Sequence, residues 1–63
     1  MKNSDIKKLA KALELIKKAQ ELLTKLDDSS EDFRYSSNAN FRRNRLDSVE
    51  SILSSDLREF GNE

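Results

Sequence analysis

The chain contains no cysteine, no histidine, no proline and no tryptophan, and its one glycine is Gly61. Without cysteine and histidine there is no disulfide, thiolate nucleophile, imidazole base, zinc finger or haem ligand. A serine nucleophile would need a lysine as its base, and the lysines fall on what reads as a solvent face. One glycine near the C-terminus excludes a glycine-rich phosphate loop. Asp27, Asp28, Glu31 and Asp32 lack the central glycine and the ligand spacing of an EF-hand. These absences predict a non-enzyme with no catalytic residue, no metal site and no cofactor. No apolar run is long enough to span a membrane, and no hydrophobic segment follows Met1 to serve as a signal peptide, so the expected location is cytoplasmic.

What is present is a short, highly charged chain of 63 residues, with twelve Lys plus Arg against twelve Asp plus Glu. A chain of this size buries only about 60 % of its unfolded surface, so its own core is marginal and a second copy is the simplest supplement. The zero net charge hides an alternation of blocks. Residues 1–26 hold seven lysines against three acids, and residues 27–33 carry four acids and no base. Residues 34–45 carry Arg34, Arg42, Arg43 and Arg45 with no acid, and residues 46–63 carry five acids against Arg58. Clustered arginines suit forked capture of carboxylate or phosphate, which makes the third block the most informative.

Helix-forming residues dominate from Ser4 or Asp5, the candidate caps, to about residue 27. With Leu9, Ile16 and Leu23 at heptad position a, Ala12, Ala19 and Leu26 fall at d. Position e then takes Ile6, Leu13 and Gln20, and g takes Leu15 and Leu22. Four apolar positions in seven make two adjacent seams, so this helix must meet more than one neighbour. Glu14 with Lys18 and Glu21 with Lys25 are spaced as i,i+4 ion pairs on the polar side.

Residues 28–40 break the period and are rich in cap and turn formers. They read as a polar link, within which Ser29 or Ser30 can cap one short helical turn presenting Phe33, Arg34 and Tyr35. A second helix is predicted over about 41–60, with Asn38 or Asn40 at its start and Gly61 as its stop. Leu46, Val49, Leu53, Leu57 and Phe60 form its apolar stripe and Ile52 widens it. Extended backwards, the stripe reaches Arg42 and Arg45, which are expected along the buried face, whereas Arg43 lies four residues before Asp47 and can pair locally.

Two explanations fit Arg42 and Arg45. In one they form salt bridges to the acids at 27–32 or to acids of another subunit. In the other they converge with symmetry copies on a small anion, and the nearby aromatic and amide side chains suit a nucleotide. In that second arrangement Arg42 and Arg45 hold phosphate, Arg34 closes over it, Tyr35 stacks on a base, and Ser37, Asn38 and Asn40 read edges or ribose. Phe33 and Phe41 are better suited to capping the end of the helical core. Duplex DNA is a poor fit, because the arginine block has no recognisable groove-reading context.

The phrase Lys-Ala-Leu-Glu-Leu-Ile-Lys-Lys-Ala-Gln-Glu-Leu-Leu at 11–23, followed by a polar aromatic link and a second helix, resembles small two-helix proteins of phages and prophages. Some small helical phage proteins are oligomers that sequester immune signalling nucleotides, and the resemblance implies an anti-defence role in the host cytoplasm. The expectation is therefore an all-α helical hairpin assembling into a homo-oligomeric bundle and sequestering a small anionic ligand between subunits. The alternatives are a protein-binding helical module and a purely structural oligomerisation element.

Overall fold

The computed structural model describes residues 1–61, and within them the chain is all-α with no strand. Helix α1 spans Asn3–Ser29, α2 spans Glu31–Arg34 and α3 spans Ala39–Gly61. No described helix is long and apolar enough to cross a membrane.

Helix α1 begins earlier than its sequence suggests. Ser4 and Asp5 lie inside it rather than capping it. Lys2 holds the cap position without a side-chain bond, and its carbonyl accepts from the amides of Asp5 and Ile6 at 3.0 and 3.1 Å. Asp5 instead contributes negative charge to the first turn, where the helix dipole favours it. On the polar side Glu14 meets Lys11 at 3.3 Å and Lys18 at 3.4 Å, while Glu21 and Lys25 form no ion pair among the described residues.

Ser30 serves two helices. Its amide donates to the Leu26 carbonyl at 2.9 Å, closing α1, and its hydroxyl accepts from the Phe33 amide at 3.2 Å, opening α2. The single helical turn foreseen in the link is thus present. Helix α3 starts at Ala39, where the Arg42 amide donates to the Asn38 carbonyl at 2.9 Å. Gly61 belongs to α3 and does not adopt the left-handed conformation of a glycine stop.

Helices α1 and α3 run against each other in opposite directions. Gln20 Nε2 donates to Asp47 Oδ1 at 3.1 Å, and Arg43 meets Asp27 at 3.1 Å further along. The α1 residues that turn toward α3 are Ile6, Leu9, Leu13, Ile16, Gln20 and Leu23, which are heptad positions a and e. From α3 they are met by Ala39, Arg42, Leu46, Glu50, Leu53, Leu57 and Phe60, all half-buried. Among the described residues only Leu13 is buried, at 8 % exposure. Burial of one such side chain stabilises by roughly 1.5–3 kcal/mol, so the contact between α1 and α3 is a thin core.

The packed stripe of α3 differs from the expected one at its centre. Glu50 occupies the half-buried position, and Val49 turns outward at 40 % exposure. Arg45, four residues before Val49, follows it to the outside and is exposed, so it does not line the buried face as its spacing suggested.

Candidate functional site

The arginine block was the first candidate, and the structure gives its four members four different surroundings. Arg34 reaches back to the end of α1, where Nε donates to the Asp27 carbonyl at 2.7 Å and Nη2 to the Asp28 carbonyl at 3.3 Å. Helix α1 has no basic residue in its own last turn, so Arg34 supplies the cation that complements its carbonyl end. Its guanidinium also lies 5.5 Å from the centre of the Tyr35 ring, which is otherwise exposed.

Arg42 is held from several sides. Its guanidinium carbon is 3.7 Å from the centre of the Phe33 ring, Nη2 donates to the Phe33 carbonyl at 2.9 Å, and Nη1 donates to Ser36 Oγ at 3.1 Å. Arg42 therefore fastens α3 to the link through a carbonyl and a ring rather than through the acids at 27–32. Arg43 makes the acid contact instead, with Asp27 rather than with Asp47, because Asp47 faces Gln20 across the helix pair. Arg45 makes no side-chain hydrogen bond or ion pair among the described residues. Ser37, Asn38 and Asn40 are exposed.

A cavity of about 170 Å³ opens between α1 and α3 beside these groups, lined in part by Thr24, Asp27, Phe33, Arg42 and Arg43. Of the candidate ligand residues only Arg42 lines it. Pockets that enclose ligands of drug or nucleotide size run from about 300 Å³ upward. The cavity also has its charges paired internally, since Asp27 is matched by Arg43.

The second candidate is apolar. Leu15 and Leu22 of α1 and Phe41, Val49 and Ile52 of α3 are large side chains left in solvent, with Leu22 at 65 % and Phe41 at 64 % exposure. Their positions obey one rule: each exposed residue immediately precedes a packed one. Ala12, Leu15 and Leu22 precede Leu13, Ile16 and Leu23, as Phe41, Arg45, Val49 and Ile52 precede Arg42, Leu46, Glu50 and Leu53, and the half-buried Ala19 holds the same place before Gln20. One residue back is a rotation of about 100° about the helix axis. Because the two helices are antiparallel, the two rotations lead to the same side of the pair. The exposed residues thus form one continuous face carried by both helices, made in α1 from heptad positions d and g.

This face was half legible in the sequence. The two seams of α1 were readable from its four apolar heptad positions. The α3 half was obscured by assigning Val49 to the packed stripe, although Phe41, Arg45 and Ile52, at spacings of four and seven, carried the signal.

Comparison with known proteins finds no matching family model, no matching curated protein and no matching solved structure.

Proposed function

We propose that the chain is a non-catalytic helical hairpin that works by binding, its open apolar face closing against another helical surface. The observation that carries this reading is the contiguity of Leu15, Leu22, Phe41, Val49 and Ile52 on one side of a molecule in which Leu13 is the single buried side chain among the described residues. A face of that kind marks an interaction surface, and a core that thin needs one. Shape supports the same reading. The radius of gyration is 14.4 Å, against about 10.6 Å for a compact domain of this length.

Non-catalytic action is supported by the chemistry of the cavity beside Arg42. Its carboxylates at Asp27 and Asp47 are engaged by Arg43 and Gln20, and the chain has no histidine or cysteine to act beside them. Sequestration of a nucleotide draws less support. Arg34 and Arg42, two of the three arginines it requires, already donate to carbonyls of their own chain.

The test compares the parent with a Leu15→Asp/Leu22→Asp variant at equal helicity. If the face is a working surface, the parent either has a mass above 7.3 kDa or enhances the fluorescence of an apolar dye, and the variant loses both properties. A parent that stays at monomer mass, ignores the dye and matches the variant in both respects overturns the reading.

A further inference from the structure

We infer that the partner for the open face is a second copy of this chain, docked through a twofold axis that crosses both helices near Ala19 and the midpoint between Val49 and Ile52. This inference rests on the reading of the face as a binding surface.

The first argument is area. The chain exposes 5114 Å². A compact globular monomer of 7.3 kDa exposes about 4,200 Å², so the surplus is about 900 Å². One partner in a stable protein–protein interface buries about 800 Å². The surplus surface is therefore what a single partner of matching size would cover.

The second argument is the symmetry of the pattern. On α3 the face reads Arg45, Val49, Ile52, Asp56, with spacings of four, three and four residues. Asp56, itself half-buried, continues the face by position, since it immediately precedes the half-buried Leu57. Reversing this string about its midpoint sets Val49 on Ile52 of the copy and Arg45 on Asp56 of the copy. The isologous contact of a twofold axis demands such self-complementarity, with opposite charges at mirrored positions. Neither Arg45 nor Asp56 makes a side-chain hydrogen bond or ion pair among the described residues, so both are free to form that pair.

On α1 the face reads Ala12, Leu15, Ala19, Leu22, Leu26, and reversal about Ala19 sets Ala12 on Leu26 of the copy, Leu15 within one residue of Leu22, and alanine on alanine at the centre. Small residues at the axis let the two backbones approach closely.

The third argument is that both centres lie at one level. The Gln20–Asp47 hydrogen bond fixes the register of α1 against α3. Ala19 then stands opposite about residue 48, and the α3 midpoint is about 4 Å further along, within one helical turn. One axis serves both helices, and the product is a four-helix bundle whose neighbouring helices are all antiparallel.

Because the chain has no cysteine, single cysteine variants report this geometry cleanly. Cys substituted for Ala19 lies beside its own copy and should oxidise to a covalent dimer. Cys substituted for Ala12 lies about 20 Å from its copy along the axis and should not. Arg45→Asp or Asp56→Arg alone should weaken the dimer about tenfold or more, and the double exchange should restore it.

A parent that sediments as a helical monomer at micromolar concentration while still binding the apolar dye overturns the self-partner and leaves the binding face standing. A dimer in which the Ala12 variant cross-links and the Ala19 variant does not overturns the proposed axis. Failure of the double charge exchange to restore the dimer overturns the Arg45–Asp56 pairing.

Discussion

The Arg42 guanidinium lies 3.7 Å from the centre of the Phe33 ring and at the same time donates, at 2.9 Å, to the carbonyl of that same Phe33. One side chain thereby ties α2 to the start of α3, while Arg34 ties α2 to the end of α1. A guanidinium suits this task because it stacks with its plane and donates with its edge, which an ammonium cannot do.

Replacing Arg42 by Met should remove two hydrogen bonds and the ring contact together, and should destabilise the chain by about 1–3 kcal/mol. Arg42→Lys should recover only a fraction of that loss. Arg43→Ala, which breaks the Arg43–Asp27 pair of a largely exposed side chain, should cost about 1 kcal/mol or less. Thermal melting of the three variants checks the order. An Arg42→Met variant as stable as the parent would contradict the structural role of that residue.

The contrast between these neighbours explains how much was readable beforehand. Helix α1 was legible because its six lysines, its leucines and its alanines repeat with one period and without a break. The extra turn at Ser30 was legible from a cap former followed by Glu31 and Asp32. The destinations of the arginines were not. Their best partners are the Asp27, Asp28 and Phe33 carbonyls, and a carbonyl's availability depends on where a helix ends in space. The outward turn of Val49 was hidden for a related reason. With Glu50 beside it, periodicity alone assigns the valine inward, whereas the structure half-buries Glu50 and leaves Val49 exposed.

A panel of linear and cyclic nucleotides should leave the melting temperature of the parent unmoved, because Arg34 and Arg42 are already engaged within the chain. A bound ligand at a hundred times its dissociation constant would add about 2.7 kcal/mol, a shift that a melting experiment resolves easily. Such a shift, abolished in Arg45→Met, would restore the nucleotide-sequestering reading.

Glu14 provides a pH-dependent marker on the polar side of α1. Hydrogen bonding from Lys11, then from Lys18, together with their charges, holds its carboxyl below the ordinary value of 4.5. A carboxyl lowered in the folded state contributes stability that is fully present above its unfolded value and lost as the pH falls through the folded one. Carboxyl NMR titration should give a midpoint below 4.5 that returns toward it in a Lys11→Ala/Lys18→Ala variant and at high salt. A midpoint at the ordinary value in the parent would show that the two ion pairs do not persist in solution.

The register of α3 is tested most directly at adjacent residues, Val49 and Glu50. Glu50 is half-buried, four residues after Leu46 and three before Leu53, in the stripe that faces α1. A carboxylate at that position interrupts an otherwise apolar contact and gains no ion pair among the described residues. Glu50→Leu should therefore extend the core of the isolated chain and stabilise it by about 1 kcal/mol, raising the melting temperature by roughly 4–8 °C. Val49→Glu, one residue back and on the open face, should leave the stability of the dilute chain nearly unchanged while weakening whatever covers that face. Melting curves at low and high protein concentration separate the two effects, since only association makes the transition depend on concentration. The reverse result, with Val49→Glu unfolding the dilute chain and Glu50→Leu failing to stabilise it, would mean that Val49 faces α1, and the continuity of the open face across α3 would be lost with it.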